Sequence, residues 1–272
     1  MKNKIEDNTL QPDCIGRKGQ LPLCMYQYKR IFATTRIPKE GQDELKVYDG
    51  SRHMVVVVDG VFYTFDAVRE DGSVLDPSSI RLQLVRIWKM ANRDAETIRD
   101  PGMGRMTYEG RDEWAAAREH MLTNPTNARS LRTIERYVRC TRRSMCFPSL
   151  FTWYSCLFAP ARSLFVMCLS RNSPTSPDEL MYEASVMDGK SIWNDKSVNL
   201  TVYANGKTTF NGEHSASDAP VPSRMLNDMA AWVQANRDAA DGAFVRGCCL
   251  RHLLNADSGF MLGVNVAPIR QG

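Results

Sequence analysis

The alternation of apolar and polar residues predicts two β-hairpins in this chain. The run Met54–Phe65 contains the β-branched residues Val55–Val58, then Asp59-Gly60, then a second apolar stretch. The run Val198–Phe210 alternates apolar and polar residues on both sides of Asn205-Gly206. Asp-Gly and Asn-Gly between two strand-like runs are strong short-range signals for a tight turn. We therefore expect an antiparallel strand pair at both places.

Apolar residues at helical spacing predict helices elsewhere. The predicted helices are Pro77–Asn92, Glu113–Met121, Ala128–Glu135 and Ser223–Ala235. A shorter helical face is expected within Leu21–Thr35. Hairpins and helices that alternate without regular βαβ spacing indicate an α/β or α+β arrangement in which helices pack on a sheet.

Residues 137–162 interrupt this pattern with an aromatic, apolar stretch behind a cluster of arginines. As a membrane anchor the stretch is too short, because Phe147–Ala161 offers about 15 residues where a span needs roughly 20. Extending it through Leu164–Leu169 would bury Arg162, at about 2.5–3.5 kcal/mol on insertion scales. Without 137–162 a predicted helix runs directly into a strand. We therefore interpret residues 137–162 as a non-native insertion, of the kind that a translated intron would produce.

Composition narrows the class of protein. The chain is 43% hydrophobic and 24% charged with a net charge of +4, which suits a globular protein and does not favour nucleic-acid binding. The eight cysteines form no C-x-x-C pair and no spacing typical of zinc sites. Residues 1–20 are polar and resemble neither a signal peptide nor an Arg/Ser-rich transit peptide. We expect them to be a disordered leader and find no targeting segment.

The candidate for chemistry is His214, which follows the second hairpin and precedes the last predicted helix. Imidazole suits general-base catalysis near neutral pH. Asp218, four residues on, could accept a hydrogen bond from Nδ1 and so fix the tautomer. One histidine near one aspartate also fits a loop residue with no catalytic role. The other histidines rank lower: His53 begins a strand, His120 lies among charges on a helix, and His252 belongs to the C-terminal tail.

A family resemblance strengthens the case for His214. The segment Glu213–Pro220 resembles the catalytic motif of the choline/carnitine acyltransferases, in the form typical of mitochondrial outer-membrane carnitine palmitoyltransferases. Other segments resemble family motifs in the same order: Leu21–Gln27, Phe32–Pro38, His53 with Gly60–Tyr63, Ser130–Arg136, Trp193–Ser197 and Tyr203–Lys207. The order holds across residues 21–136 and 163–240.

The resemblance implies a CoA-dependent acyltransferase-like fold of the chloramphenicol acetyltransferase type, an α/β domain whose mixed sheet has flanking helices. Residues 21–242 would be an incomplete histidine-bearing domain, and residues 243–272 a divergent tail. The family's second domain, which contributes the carnitine and CoA contacts and an oxyanion donor, is missing. Loss of one oxyanion donor typically slows a reaction by about 10²–10³-fold. We therefore expect negligible activity from this chain alone.

The implied reaction is acyl transfer between acyl-CoA and carnitine, with His214 taking the proton of the carnitine hydroxyl and Asp218 orienting His214. Coenzyme A is then a substrate, and the resemblance implies no cofactor and no metal. Ala219-Pro220 favours the long-chain branch of the family. The resemblance implies a role in the carnitine shuttle of fatty acid metabolism and a parent enzyme at the mitochondrial outer membrane. Two alternatives stay open: a catalytically dead, acyltransferase-like interaction or regulatory protein, and a small membrane-anchored protein that uses residues 147–169.

Overall fold

The structure, a computed structural model, describes residues 1–135, 163–236 and 261–265, apart from positions 17, 18, 20, 49, 96–101 and 187. The strands are β1 (Cys14–Ile15), β2 (Leu21–Pro22), β3 (Thr34–Ile37), β4 (Glu44–Val47), β5 (His53–Val58), β6 (Val61–Asp66), β7 (Ser163–Leu169), β8 (Val198–Val202), β9 (Thr208–Glu213) and β10 (Met261–Asn265). The α-helices are α1 (Lys2–Glu6), α2 (Pro77–Asp94), α3 (Arg111–Leu122), α4 (Pro125–Glu135), α5 (Pro177–Ser185) and α6 (Pro220–Ala235). Two 3₁₀-helices cover Tyr26–Arg30 and Met103–Tyr108.

Six strands form a mixed sheet in the order β10–β9–β8–β7–β5–β6. The pairs β5–β7, β7–β8 and β9–β10 are parallel, whereas β5–β6 and β8–β9 are antiparallel. The two antiparallel pairs are the predicted hairpins, which are confirmed. At the first turn Asp59 and Gly60 both have positive φ, the backbone conformation that a type I′ hairpin turn requires. The structure thus confirms a mixed α/β architecture.

Helices cover both faces of the sheet at β5. Every residue of β5 is buried, and successive side chains of a strand point to opposite faces. Met54, Val56 and Val58 pack in a cluster with α2, whereas Val55 and Val57 pack in a cluster with α3 and α4. The continuous valine run is therefore a strand that is buried on both sides, as is usual in sheets with parallel strands.

The four predicted longer helices correspond to α2, α3, α4 and α6. The expected helical face within Leu21–Thr35 is confirmed only as the 3₁₀-helix Tyr26–Arg30. The next residues turn away because Thr34–Ile37 pairs with β4. Backbone pairing therefore overrides the helical spacing of the apolar residues there.

The prediction of a disordered leader is wrong for most of residues 1–20. Met1, Ile5 and Leu10 pack against a buried cluster that contains Tyr28 and Ile31. Ile5 lies in α1, Met1 is the residue before this helix, and Leu10 follows it after a turn. The segment is polar on average, but its few apolar side chains pack together against the rest of the domain.

Residues 136–162 lie outside the described residues, and so does the predicted insertion. The chain nevertheless returns close to where it left, because Ser163 Oγ lies 3.5 Å from the carbonyl oxygen of Ile134. The idea that a membrane span extends through Leu164–Leu169 is wrong, since these residues form β7 between two neighbours of the sheet. Among the helices in the described part of the chain, none is long and apolar enough to cross a bilayer. Of the predicted tail, Met261–Asn265 adds β10 beside β9.

Candidate active site

His214 sits directly after β9, in the loop that leads into α6. Its side chain is 44% exposed, so the imidazole is open to a reactant. The residue before it, Glu213, ends the strand and is buried, and Pro220 begins the helix, where a proline ring with fixed φ is well tolerated. Strand and helix thus bracket a six-residue loop that displays one histidine.

The structure brings His214 and Asp218 together. His214 Nδ1 lies 3.9 Å from Asp218 Oδ1, within the distance of an ion pair but beyond that of a hydrogen bond. The expected hydrogen bond from Nδ1 to Asp218 is therefore not formed in this conformation. Asp218 is held elsewhere, because its Oδ2 accepts a hydrogen bond of 2.7 Å from Gln27 Nε2. The carboxylate faces the imidazole while its second oxygen is fixed by an amide.

Glu213 anchors the other end of the loop and was not singled out by the sequence. Its Oε1 accepts a hydrogen bond of 3.1 Å from Arg36 Nη1. Its Oε2 accepts one of 3.0 Å from the backbone N–H of Ser215 and another from the Ser215 hydroxyl. This carboxylate closes a tight turn around His214. The Ser215 hydroxyl donates its proton to Glu213. This hydroxyl is therefore used to hold the turn, and His214 is not its hydrogen-bond partner in this contact.

Arg36 connects this turn to a buried chain of charges. Its Nε donates to Asp43 Oδ2 at 2.5 Å, and Arg111 Nε donates to the same oxygen at 2.6 Å. Arg111 Nη1 then reaches Asp195 Oδ1 at 2.7 Å. Burial alone would lower the pKa of the Arg36 guanidinium, but Glu213 and Asp43 raise it above its usual value. Arg36 is therefore a fixed cation that links the loop to the domain.

Asp195 ends the chain of charges in the core. Its Oδ2 accepts a hydrogen bond of 2.7 Å from the indole N–H of Trp114. Burial raises the pKa of the Asp195 carboxyl to about 6, although Arg111 and Trp114 favour its ionised form. The site loop and the aromatic core on the α3 side of the sheet are thus joined by directed polar contacts rather than by apolar packing alone.

Two of the segments that resembled family motifs lie side by side. The backbone N–H of Arg36 donates to the carbonyl oxygen of Asp195 at 2.8 Å, and that of Ser197 donates to the carbonyl oxygen of Thr34 at 3.2 Å. Between them Lys196 is fully buried, and its ammonium donates to Thr35 Oγ1 at 3.1 Å. β3 therefore lies along residues 195–197. This placement brings the Arg36 side chain within hydrogen-bond distance of Glu213.

The remaining titratable side chains differ in their access to a reactant. His53 is buried in β5, whereas His120 is exposed on α3, and His252 is outside the described residues. Cys168 is buried, and burial raises the pKa of its thiol far above neutral pH, so it stays a thiol. Within the described ranges, no group of three or more His, Cys, Asp or Glu side chains is arranged to hold a metal ion. Among the described histidines, His214 combines exposure with a carboxylate partner.

A small depression opens beside the imidazole. It is lined by Ile31, Ser197, Phe210, Gly212, Glu213, His214, Ser217, Ala219 and Pro222. Gly212 forms part of its wall, and a Cβ there would lie 2.8 Å from Phe210 Cε1, which is too close for a real contact. The absence of a side chain at Gly212 therefore lets the Phe210 ring pack directly beneath the loop.

Comparison with known proteins places the chain in a family. The family model described as choline/carnitine O-acyltransferase matches residues 1–140 and 159–247. The chain is 32% identical over 208 residues to mitochondrial carnitine O-palmitoyltransferase 2 of Homo sapiens, covering 76% of this chain and 27% of that protein. It is 30% identical over 230 residues to the muscle isoform of carnitine O-palmitoyltransferase 1 of Rattus norvegicus, covering 81% and 25%. It is 29% identical over 237 residues to carnitine O-acetyltransferase of Columba livia, covering 86% and 34%.

The matches also show how much of the family this chain covers. The chain spans about a quarter to a third of the length of these relatives. The matched residues omit 141–158, inside the stretch that interrupts the helix and strand pattern, and they include the short N-terminal elements. The matched range also contains His214, Asp218, Glu213 and Arg36. This chain belongs to the choline/carnitine O-acyltransferase family.

Proposed function

We propose that this chain is the histidine-bearing part of an enzyme that transfers acyl groups between coenzyme A and carnitine, with His214 as the general base. The observation that carries the proposal is the exposed imidazole of His214, whose Nδ1 faces the Asp218 carboxylate at 3.9 Å. A carboxylate on the Nδ1 side favours the tautomer with the proton on Nδ1. That leaves Nε2 as the atom that accepts a proton from a substrate.

The chemistry follows from that tautomer. Nε2 takes the proton of the carnitine hydroxyl, and the resulting alkoxide oxygen attacks the thioester carbonyl carbon of acyl-CoA. The C–S bond breaks as the C–O bond forms, and the thiolate of coenzyme A leaves and takes up the proton from the imidazolium. Asp218 stabilises the imidazolium while it exists, as a carboxylate beside a catalytic histidine does. The acyl group moves directly between substrates, so no covalent acyl-enzyme is required.

The fold supports the same assignment. A mixed sheet with helices on both faces is what the CoA-dependent acyltransferase fold of the chloramphenicol acetyltransferase type requires of one domain. Since the chain spans a quarter to a third of its relatives, we assign the missing substrate contacts to sequence beyond these residues. We therefore expect this chain alone to be nearly inactive, because positioning of both substrates is lost.

The proposed acyl donor is a long-chain acyl-CoA, and the proposed location is the mitochondrion. Two of the three relatives described above are named carnitine palmitoyltransferases, and one of these is named mitochondrial. Ala219-Pro220 after Asp218 agrees with the long-chain branch. A series of acyl-CoA donors from two to sixteen carbons tests the first assignment, and fractionation of cells that express the protein tests the second.

The deciding test is a CoA-release assay with acyl-CoA and carnitine. It compares this chain with the longest translated product that contains it, and each with its His214→Ala variant. We expect carnitine-dependent release from the longer product and a loss of about 10²–10⁴-fold in the variant, the range for removal of a general base. His120→Ala is the matched control, because it removes an exposed histidine from α3 without touching the loop.

Either of two results would overturn the proposal. If the longer product turns over and His214→Ala does not slow it, His214 is not the base. If neither product releases coenzyme A, the protein is better explained as a non-catalytic relative that keeps the fold and binds a partner.

A further inference from the structure

Gln27 binds Asp218 at two points. The side-chain Nε2 of Gln27 donates to Asp218 Oδ2 at 2.7 Å, and its Oε1 accepts from the backbone N–H of Asp218 at 2.9 Å. Both contacts are made by one amide, and they join positions 191 residues apart in the chain. A single side chain therefore fixes both the backbone and the carboxylate of Asp218.

These contacts decide where the second carboxylate oxygen points. The side chain of Asp218 is 61% exposed, so packing does not restrict its rotation. With Oδ2 held by Gln27, Oδ1 is directed to the Nδ1 side of His214 at 3.9 Å. Without the amide, the carboxylate would exchange among solvent-exposed rotamers and its time-averaged field at the imidazole would fall.

Gln27 is itself firmly placed. It lies in the 3₁₀-helix Tyr26–Arg30, next to the buried Tyr28, which packs with Val221 and Met225 of α6. α6 begins two residues after Asp218. The 3₁₀-helix and the loop therefore rest on the same helix, and the amide spans a fixed gap between them.

The chemistry of the amide suits this role. A lysine or arginine here would hold the carboxylate equally well but would neutralise its charge, which would weaken its effect on an imidazolium. A glutamine donates a hydrogen bond and carries no charge, so the carboxylate keeps its charge for His214. The amide oxygen also satisfies a backbone N–H that a cationic side chain cannot, since Lys and Arg have no acceptor.

We propose that Gln27 is a positioning residue that holds Asp218 against the Nδ1 side of His214 and so selects the tautomer with a free Nε2. This inference rests on the proposed function, because only a base at Nε2 needs that tautomer. It assigns a role in the site to a residue far from the loop in sequence.

The test is the tautomer of His214, read by long-range ¹⁵N–¹H NMR on the full chain at a pH where the imidazole is neutral. In the unmodified protein we expect the Nδ1–H form to dominate. Gln27→Met keeps the side-chain volume and removes both hydrogen bonds. We expect it to shift the ratio toward Nε2–H by roughly threefold or more, because the Asp218 carboxylate is no longer held at about 4 Å from Nδ1 and its average field at the imidazole falls. Asp218→Asn should shift the ratio in the same direction.

Two further variants separate positioning from a general effect on the fold. Asn172→Leu is the matched control, because it removes an amide-to-carboxylate hydrogen bond of 2.8 Å, to Glu183 Oε1, away from the loop. It should leave the tautomer ratio unchanged. Gln27→Lys keeps a donor but neutralises the carboxylate, so it should shift the ratio as Gln27→Met does. If Gln27→Lys keeps the Nδ1–H form, any donor at position 27 is sufficient, and the argument that the neutral amide preserves the charge of Asp218 is wrong.

The outcomes distinguish this inference from the proposed function. A ratio that moves in Asp218→Asn but not in Gln27→Met overturns the role of Gln27 and leaves that of Asp218 intact. A ratio that moves in neither variant overturns both. A ratio that moves in both, in a protein whose longer product shows no acyl transfer, supports the positioning contact and contradicts the function.

Discussion

Lys196 provides a direct test of how the fold treats a buried charge next to the site. It is fully buried between β3 and the segment before β8, and its ammonium donates a hydrogen bond to Thr35 Oγ1 at 3.1 Å. Burial lowers the pKa of this lysine from 10.5 to about 7, although the charge of Glu135 acts in the opposite direction. The perturbation is Lys196→Met, which keeps an unbranched side chain, shorter by one atom, and removes its charge.

The sign follows from proton linkage. The unfolded chain binds the lysine proton up to about pH 10.5, whereas the folded chain releases it near pH 7, so the free energy of unfolding rises with pH between these values. One pKa unit corresponds to about 1.4 kcal/mol, so the full penalty for burying the ammonium is about 5 kcal/mol, and about 4 kcal/mol at pH 7. Replacement by methionine forgoes a hydrogen bond of about 1 kcal/mol. We therefore expect Lys196→Met to be about 3 kcal/mol more stable at pH 7.

The assay is urea unfolding of both proteins at several pH values from 7 to 9. The stability difference should shrink by about 2 kcal/mol over this range, because the unmodified protein gains stability as Lys196 loses its proton. Lys207→Met is a suitable control. Lys207 lies in the second hairpin and makes its hydrogen bond to the carbonyl oxygen of Thr175 in contact with solvent, whereas the ammonium of Lys196 is buried. A difference between the Lys196 proteins that stays constant with pH would refute the reasoning, and so would a less stable variant at pH 7.

Three further substitutions test single contacts. Arg118→Met leaves the carboxylate of Glu135 buried without the guanidinium that binds it at 2.9 and 2.5 Å, and should reduce the free energy of unfolding by about 3–5 kcal/mol, with most of the loss recovered when Glu135 is also made apolar. Gly104→Ala places a Cβ 2.2 Å from the carbonyl oxygen of Lys190 and should destabilise by about 1–3 kcal/mol; an unchanged melting temperature would show that the two segments move apart freely. Ser176→Ala removes half of the capping box of α5 and should reduce stability by about 1 kcal/mol in chemical unfolding, whereas no change would mean that solvent caps the helix equally well.

Local sequence patterns were enough for both hairpins and for the helices α2, α3, α4 and α6. Asp59-Gly60 and Asn205-Gly206 define turns through their own backbone preferences, so both hairpins could be predicted without knowledge of the rest of the chain. The valine run of β5 is also recognisable, although its burial on both faces depends on three helices that lie elsewhere in the chain. Helix α5 also has a local signal, the capping box of Ser176 and Glu179, and it was not predicted.

The candidate site was predictable only in part. His214 and Asp218 are four residues apart, and a motif could place them together. The contacts that orient them join Glu213 to Arg36 over 177 residues and Asp218 to Gln27 over 191 residues. Such pairs form only when β3 and the 3₁₀-helix pack beside β9 and α6, so no local pattern contains them. Their residues did lie within segments that resembled family motifs, which was the available signal.

A catalytic base that is exposed to solvent must still be held in one orientation. In this protein, contacts at both ends of the loop restrict the position of His214. A buried histidine is oriented by packing, but 44% of the His214 side chain is exposed, so packing restricts it less. The loop is instead fixed on one side by Glu213, which is buried and ion-paired, and on the other by Asp218, which is exposed and held by an amide. The side chains that hold Glu213 and Asp218 are those of Arg36 and Gln27. Residues 27–36 should therefore matter to the site as much as the loop itself. Substitutions of Gln27 or Arg36 should change the tautomer ratio of His214 in a domain that remains folded.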